Sequence, residues 1–183
     1  MKGARLLSQV YSVTRDRALA EEAKSTVNFV LRHQKDDGSW PYSKGDKRNW
    51  VDNFHTCYIL DCLDEYCTLT GDDGARSQLE KGVNYYVNTF FQDDCIPKYY
   101  SNSLYPVDST AAAQSILTLA RFGYIDKAEN VAAWMIDNMQ DSKGFFYYQK
   151  HRYFTNKISY MRWSNAWMYS ALSYLLKKNH ALV

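Results

Sequence analysis

Apolar side chains recur at helical spacing in seven stretches of the chain, and no stretch alternates apolar and polar residues long enough to indicate a strand. Short polar residues that can accept a backbone hydrogen bond precede most of these stretches, and glycines follow two of them. The predicted helices are 2–13, 17–34, 53–69, 74–91, 109–122, 126–140 and 164–178, with caps at Asp16, Asp52, Asp72 or Asp73, Asp108 and Ser164 and stops at Gly71 and Gly123. We therefore predict an all-α protein.

The connections between these helices alternate strictly between short and long. Three or four residues follow the first, third and fifth helices, whereas residues 35–51, 92–107 and 141–163 follow the others. The caps that end the long connections, Asp52, Asp108 and Ser164, are each 56 residues apart. A period of this length indicates one repeated unit, here an antiparallel helical hairpin, and successive hairpins place all the long loops at one end of the helices.

The long loops begin near a glutamine. Residues 34–40 read Gln-Lys-Asp-Asp-Gly-Ser-Trp, residues 140–146 read Gln-Asp-Ser-Lys-Gly-Phe-Phe, and residues 92–95 read Gln-Asp-Asp-Cys. The first is similar to the Q-x-x-x-G-x-W turn of α/α toroids, the third is a weaker copy, and the second lacks the glycine and the aromatic ending. Together with the hairpin repeat, these loops resemble the α/α-toroid fold shared by six-hairpin glycosidases, N-acylglucosamine epimerases and terpenoid cyclases. The resemblance covers the whole chain and implies a two-layer ring of helices.

The number of helices bears on how much of such a ring is present. A complete six-hairpin toroid needs more helices than the seven predicted here. We expect residues 1–183 to form a single α/α-hairpin domain, a partial toroid that corresponds to the C-terminal half of a full one. An uncovered apolar side is unfavourable in water, so we expect a homo-oligomer, or the rest of a longer protein, to cover it.

The amino-acid composition limits the classes of molecule that this protein is expected to bind. The chain has 183 residues, of which 46% are hydrophobic, and 22 Lys+Arg against 20 Asp+Glu give a net charge of +2 and a pI of about 8.2. This balance falls short of the strongly basic face of a dedicated nucleic-acid binder. No apolar run is long enough to span a bilayer, and residues 1–8 lack the apolar stretch of a signal peptide. We expect a cytoplasmic protein with no nucleic-acid or membrane partner.

Cysteine and histidine spacing gives no indication of a metal site. The cysteines at positions 57, 62, 67 and 95 form no Cys-x-x-Cys pair, and no two histidines stand at His-x-x-x-His spacing. Buried, reduced cysteines are the simpler interpretation. We expect no metal and no cofactor.

Aromatic residues concentrate in the three long loops. These loops contain 14 of the 29 aromatic residues and carry a net charge of +4, against −2 for the rest of the chain, and helix N-termini with free N–H donors point to the same end. An aromatic, mildly positive surface suits a polar ring with an anionic group, such as a small saccharide or polysaccharide that contains uronic acid. The alternative is that the aromatic rings pack the loops together. The candidates for saccharide contact are Trp40, Tyr42, Asn53, Tyr105 and Tyr147.

Two aspartates stand at equivalent positions of the repeat. Asp52 and Asp108 each open the helix after a long loop, which predicts two carboxylates at one rim. Paired carboxylates commonly cleave glycosidic bonds, one as acid and one as base or nucleophile. His55, in the first turn after Asp52, is a further acid–base candidate. The alternative is that both aspartates only cap helices.

Residues 160–168 read Tyr-Met-Arg-Trp-Ser-Asn-Ala-Trp-Met. The segment resembles the Trp-x-Arg-Gly-Gln-Ala-Trp segment of unsaturated glucuronyl hydrolases, although Arg162 precedes Trp163 here, and Ser164 and Asn165 replace the glycine and glutamine. The resemblance implies that Arg162 binds a uronate carboxylate and that Trp163 or Trp167 stacks on a sugar ring. The alternative is an aromatic core helix capped by Ser164.

Three hypotheses on function follow. The favoured one is a carbohydrate-active toroid of the glycosidase or epimerase kind, and whether it is an enzyme stays open. The second is a non-catalytic binding or assembly module. The third is a terpenoid-cyclase-like toroid, against which stands the position of the Asp61, Asp64 and Glu65 cluster inside the third helix, away from the long loops.

Overall fold

The computed structural model describes residues 1–180, so the last three residues of the predicted domain 1–183 lie outside the described part. Its helices agree with the predicted ones to within three residues at each end. They are α1 (Lys2–Thr14), α2 (Arg17–Leu31), α3 (Asn53–Thr70), α4 (Arg76–Thr89), α5 (Ser109–Arg121), α6 (Ile125–Met139) and α7 (Trp167–His180), with a 3-10 turn at Asp73–Ala75. The prediction of an all-α fold with seven helices is confirmed for the described residues.

Most of the predicted helix boundaries have the expected physical cause. The Asp16 carboxylate accepts a hydrogen bond from the Ala18 N–H at 3.0 Å, and the Asp108 carboxylate accepts one from the Ala111 N–H at 2.9 Å. Gly71 and Gly123 adopt φ values of +72° and +83°, which are strained for a residue with a Cβ. These caps and stops therefore fix where the helices begin and end.

The predicted start of the last helix is wrong. A π-helical turn at Met161–Ala166 precedes α7, so the chain enters the helix before Ser164. The Ser164 hydroxyl does not cap; it donates to the Tyr160 carbonyl at 2.8 Å, and the Asn165 N–H donates to the same carbonyl at 3.1 Å. The five-residue spacing of this backbone bond widens the turn. Ser164 and Asn165 are polar residues inside this turn, so they do not mark the start of the helix.

Short strands occur in the second and third long loops. β1 (Phe91–Gln92) pairs antiparallel with β2 (Ile96–Pro97), and a three-stranded sheet has the order β3 (Val107–Asp108), β4 (Gln149–Lys150) and β5 (Thr155–Asn156). Each strand has two residues, which is too short for an alternating pattern to be visible in the sequence. The three-stranded sheet brings the third loop to the start of α5.

The first and third long loops fold into the same turn. The Gln34 side chain donates to the Gly38 carbonyl and the Gln140 side chain to the Gly144 carbonyl, both at 3.0 Å. The two glycines have φ values of +95° and +91° and donate to the carbonyls three residues before them. The second loop instead forms the β1–β2 hairpin, with positive φ at Asp93 and Asp94. The sequence likeness between the first and third loops is thus confirmed in the backbone.

The chain divides into two compact units. The first comprises Met1–Val51 and His55–Asn88, and the second comprises Asp52–Phe54 and the residues from Thr89 onward. In the first unit α1 packs against α2, and the core contains Val27, Trp40, Leu60, Leu63 and Tyr66. In the second unit α5 packs against α6 and α7, and the core contains Phe90, Ile116, Leu119, Met135, Met139 and Met168.

All four cysteines are free thiols. Cys57, Cys62 and Cys67 on α3 are buried, as expected, and Cys95 is half-buried. Burial raises the pKa of the Cys62 and Cys67 thiols, which keeps them protonated and unreactive. Among residues 1–180, no helix combines the length and the apolar character that crossing a membrane requires.

Candidate functional site

Asp108 lies in the second unit, where β3 ends and α5 begins. Its carboxylate is 5% exposed and accepts hydrogen bonds from the Ala111 N–H on one oxygen and from the Gln149 amide, at 2.7 Å, on the other. Burial raises the pKa of this carboxyl, although the hydrogen bonds act in the opposite direction. The result is a buried acid at the end of a helix, held by the strand that pairs beside it.

Tyr99 connects the two predicted carboxylates of the second unit. The Asn53 N–H donates to the Tyr99 carbonyl at 2.8 Å, and Asp52 forms a bridge with Tyr100. Burial raises the pKa of the Tyr99 phenol well above its usual value, and the negative charges of Asp52 and Asp108 raise it further. The charges of both carboxylates therefore act on one phenol, and their pairing at one rim stays a prediction.

Both polar atoms of the Asn53 side-chain amide form hydrogen bonds within the protein. It is fully buried, its amide nitrogen donates to the Lys98 carbonyl at 3.0 Å, and its oxygen accepts from the Ser115 hydroxyl at 3.0 Å. These bonds tie the start of α3 to α5 within the second unit. A direct contact of Asn53 with saccharide stays a prediction.

An aromatic cluster lies beside Asp108. Tyr148 contacts Tyr160 edge to face, with ring centroids 5.0 Å apart, and Trp163 packs against both rings. Burial raises the pKa of the Tyr148 phenol, and the Asp108 charge raises it further. Trp163 is about half exposed, and its carbonyl accepts a hydrogen bond from the Thr110 hydroxyl.

A small cavity brings together two residues of the 160–168 segment. Arg162 and Trp167 line it with Ala166 and Ser170, and its volume is about 260 Å³. The Trp167 ring also contacts Phe54 edge to face at 5.9 Å. Arg162 and Trp167 thus line the same open depression, and a guanidinium beside an indole is a pairing that can hold an anionic ring.

Two other predicted contact residues lie in the loops of the second unit. The Tyr147 hydroxyl donates to the Asp141 carboxylate at 2.9 Å, and the Lys157 ammonium lies 5.2 Å from the Tyr147 ring centroid. Tyr105 is half-buried, and its carbonyl accepts from the Ser103 hydroxyl at 2.8 Å. Their roles toward a saccharide stay predictions.

The remaining candidates belong to the first unit. Trp40 is 4% exposed, and its indole N–H donates to the Val30 carbonyl at 3.0 Å, so it packs the first long loop onto the helices. Tyr42 stacks on Trp50 at 4.9 Å and contacts His55 edge to face at 4.8 Å. The structure therefore brings Tyr42 and His55 together and places Trp40 in the core.

The acidic residues of the Asp61, Asp64 and Glu65 cluster on α3 interact within the first unit. Glu65 pairs with Arg5 at 2.7 Å, Asp64 pairs with Arg76 at 3.8 Å, and Asp61 is buried. Among the described residues, no group of three or more His, Cys, Asp or Glu side chains is arranged to hold a metal ion.

Several residues near Asp108 and the cavity were not predicted as site residues. They are Tyr99, Tyr148, Gln149, Tyr160 and Ser170. For the three tyrosines the sequence gives one indication of a site, since they belong to the aromatic residues of the long loops. For Gln149 and Ser170 it gives none, because their positions depend on strand pairing and on the π-helical turn.

No protein-family model matches the sequence, and a search of curated proteins gives no significant match. Solved structures with a similar fold include a cellobiose 2-epimerase from Bacillus thermoamylovorans, with a TM-score of 0.75 and 11% identity over 95% of this chain and 51% of that chain. An unsaturated glucuronyl hydrolase from a Bacillus species, responsible for the degradation of glycosaminoglycan, has a TM-score of 0.68 and 14% identity over 95% and 56%. An unsaturated glucuronyl hydrolase specific for heparin has a TM-score of 0.67 and 18% identity over 95% and 50%.

These likenesses define the fold class. The chain has the fold of the six-hairpin glycosidase-like α/α toroids, as the hairpin repeat and the long-loop turns predicted. It spans about half the length of the solved structures that it matches.

Proposed function

We propose that this chain is part of a carbohydrate-active toroid and that its second unit binds an anionic saccharide that contains uronic acid. The observation that carries the proposal is the cavity shared by Arg162 and Trp167. A guanidinium binds a carboxylate through two parallel N–H donors, and an indole offers an apolar face to a sugar ring. The resemblance of residues 160–168 to the glucuronyl hydrolase segment supports the same pairing.

The size of the cavity indicates how much of the ligand it holds. Its volume of about 260 Å³ is just below the ~300–1,000 Å³ of typical small-molecule pockets. It suits one sugar residue, with the half-exposed Trp163 next to Arg162 in the chain as a second ring for stacking. The saccharide residue in the cavity is the uronic acid, because Arg162 is the charged group that lines it.

Catalysis, where it occurs, is assigned to the two carboxylates near Tyr99. Asp108 acts as the acid, because burial favours its protonated form, and it gives its proton to the glycosidic oxygen as that bond breaks. Asp52 acts either as the base, which takes a proton from the water that attacks the sugar carbon, or as the nucleophile, which forms a glycosyl ester that water then hydrolyses with Asp108 as the base.

A non-catalytic binding module is the second candidate function, and one observation favours it. Both oxygens of Asp108 already accept hydrogen bonds while the residue is 5% exposed, as in a purely structural cap. In this case the saccharide binds without turnover.

Three measurements on the purified chain separate these possibilities. Hydrolysis of an unsaturated uronic-acid disaccharide is followed by the loss of the absorbance of its conjugated double bond, and binding is followed by calorimetry. Asp108→Asn is the informative variant, because asparagine caps a helix as well as aspartate but supplies no carboxylic acid proton. Turnover that Asp108→Asn abolishes supports the enzyme, and binding without turnover supports the binding module. The absence of both binding and turnover would overturn the proposal.

A further inference from the structure

An exposed, basic and aromatic segment projects from the second unit. Residues 149–162, named here the basic segment, begin with β4, turn at residues 151–154 and return through β5. The His151 N–H donates to the Phe154 carbonyl at 2.8 Å, and the two rings stack at 4.5 Å. The turn therefore has a defined conformation.

The charge of the basic segment has one sign. It contains Lys150, Arg152, Lys157 and Arg162 and no acidic residue. Asp141, outside the segment, faces Lys157, whose charge contributes to lowering the pKa of the Asp141 carboxyl. None of the four cations has an ion-pair partner in the part of the chain that the structure describes. The segment thus presents uncompensated positive charge to solvent.

Large apolar side chains accompany these cations. Tyr153 is 86% exposed and Phe154 is 62% exposed, and Ile158 and Met161 are also exposed. The Arg152 guanidinium lies 5.4 Å from the centroid of the Tyr153 ring. Exposed aromatic rings next to unpaired cations mark an interaction surface for a ligand with both ring faces and negative charge.

Both ends of the basic segment reach the candidate site. At its start, Gln149 donates to the Asp108 carboxylate, and β4 pairs with β3. At its end, Arg162 lines the cavity with Trp167. All of these residues belong to the second unit. The basic segment is therefore attached to the candidate site at both of its ends.

We propose that the basic segment binds further residues of the same acidic polysaccharide chain, so that the ligand is an oligosaccharide rather than a disaccharide. Sugar rings stack on Tyr153 and Phe154, and carboxylate or sulfate groups face Lys150 and Arg152. This inference rests on the proposed function, because it extends the ligand held at Arg162. Charge complementarity selects an anionic chain, and attachment of the segment to the Asp108 region selects a saccharide. The net charge of only +2 argues against nucleic acid.

The test is the dependence of affinity on ligand length. Calorimetric titration uses a disaccharide, a tetrasaccharide and a hexasaccharide of one uronic-acid polymer, with the intact chain and the double variant Arg152→Ser/Tyr153→Ser. Both substitutions are at exposed positions and leave the core untouched. The matched control is Tyr169→Ser, which removes an equally exposed tyrosine from α7 outside the segment.

We expect the hexasaccharide to bind the unaltered chain about tenfold tighter than the disaccharide, as several weak exposed contacts add. The double variant loses this gain and keeps its disaccharide affinity, while Tyr169→Ser behaves like the unaltered chain. Disaccharide binding with no gain in affinity with length would overturn this inference and leave the proposed function standing. Absence of disaccharide binding would overturn both.

Two further ligands test the choice of partner. Vesicles that contain anionic lipid and single-stranded DNA are titrated under the same conditions. Weak binding of both, unchanged in the double variant, supports a saccharide surface. The inference would be overturned if the intact chain binds the vesicles or the DNA tightly and the double variant loses that binding while its affinity for the saccharides stays the same. The segment would then be a membrane or nucleic-acid surface.

Discussion

The Trp40 indole packs directly onto the backbone of α4 at Gly82. A Cβ at position 82 would lie 2.6 and 2.7 Å from two carbons of the Trp40 ring and 2.9 Å from a Leu60 methyl carbon. The ring cannot yield easily, because it is 4% exposed and its N–H is bonded to the Val30 carbonyl. Close packing at Gly82 therefore holds the first long loop to the helices of the first unit.

Gly82→Ala tests this contact through two opposing effects. Replacing glycine within a helix gains about 1 kcal/mol in helix propensity, whereas overpacking a core costs about 1–3 kcal/mol. Separations below 3.0 Å from a fixed ring place the overpacking cost at the upper end of its range. We therefore expect a net loss of about 1–2 kcal/mol in the free energy of unfolding, measured by urea denaturation with far-ultraviolet circular dichroism.

The same substitution elsewhere provides the control. Gly3 is exposed in α1, and a Cβ there meets no atom within 4 Å, so Gly3→Ala should leave stability unchanged or raise it by up to about 1 kcal/mol. In a Trp40→Leu background the Gly82→Ala loss should shrink, because the obstructing ring is absent. A Gly82→Ala chain as stable as Gly3→Ala would refute the packing argument.

Three further predictions concern the charge and surface of the chain. The Asp72 carboxyl has its pKa lowered to about 2, first by the Tyr66 hydroxyl and then by the Gly74 N–H and Lys24, so its stabilisation is complete above about pH 4 and is lost as the pH falls toward 2. Tyr66→Phe should therefore destabilise the chain more at pH 5 than at pH 2.5 in urea titrations, and a pH-independent difference would contradict this. Asp108→Ala should lower the unfolding free energy by about 1–2 kcal/mol and Asp108→Asn by much less, since only alanine removes the cap; equal losses in thermal unfolding would rule out capping. The hypothesis that a second copy covers the apolar face of α1, where Val13 is 83% exposed, predicts that Val13→Asp shifts sedimentation from dimer to monomer, and an unaltered chain that is already monomeric would reject it.

The helices could be predicted because their signals are local. Helical spacing and the caps at Asp16 and Asp108 depend on residues within one or two turns, so the bounds agree to within three residues. The hydrogen bond from the Gln34 side chain to the Gly38 carbonyl likewise joins residues only four apart, and the third loop repeats that turn. Ser164 was wrongly predicted as a cap because the sequence alone does not distinguish a helix cap from a serine inside a π-helical turn.

The candidate site was only partly predictable for the opposite reason. The 56-residue spacing predicts equivalent positions for Asp52 and Asp108 in the repeat, and the charges of both raise the pKa of the Tyr99 phenol. The bond from Gln149 to Asp108 joins residues 41 apart and depends on the pairing of two-residue strands. For Trp40 the difficulty is different, because the sequence does not distinguish a loop aromatic residue that faces a ligand from one that packs on a helix.

Calorimetric titration of the chain with an unsaturated uronic-acid disaccharide tests for a uronate site at Arg162. We expect saturable binding that weakens by about 10- to 100-fold in Arg162→Gln, because that variant loses a charge-assisted pair. Arg152→Gln serves as the matched control and should leave disaccharide binding unchanged, because that side chain lies outside the cavity lining. Absence of saturable binding, or equal affinity of Arg162→Gln and the unaltered chain, would contradict a uronate site at Arg162.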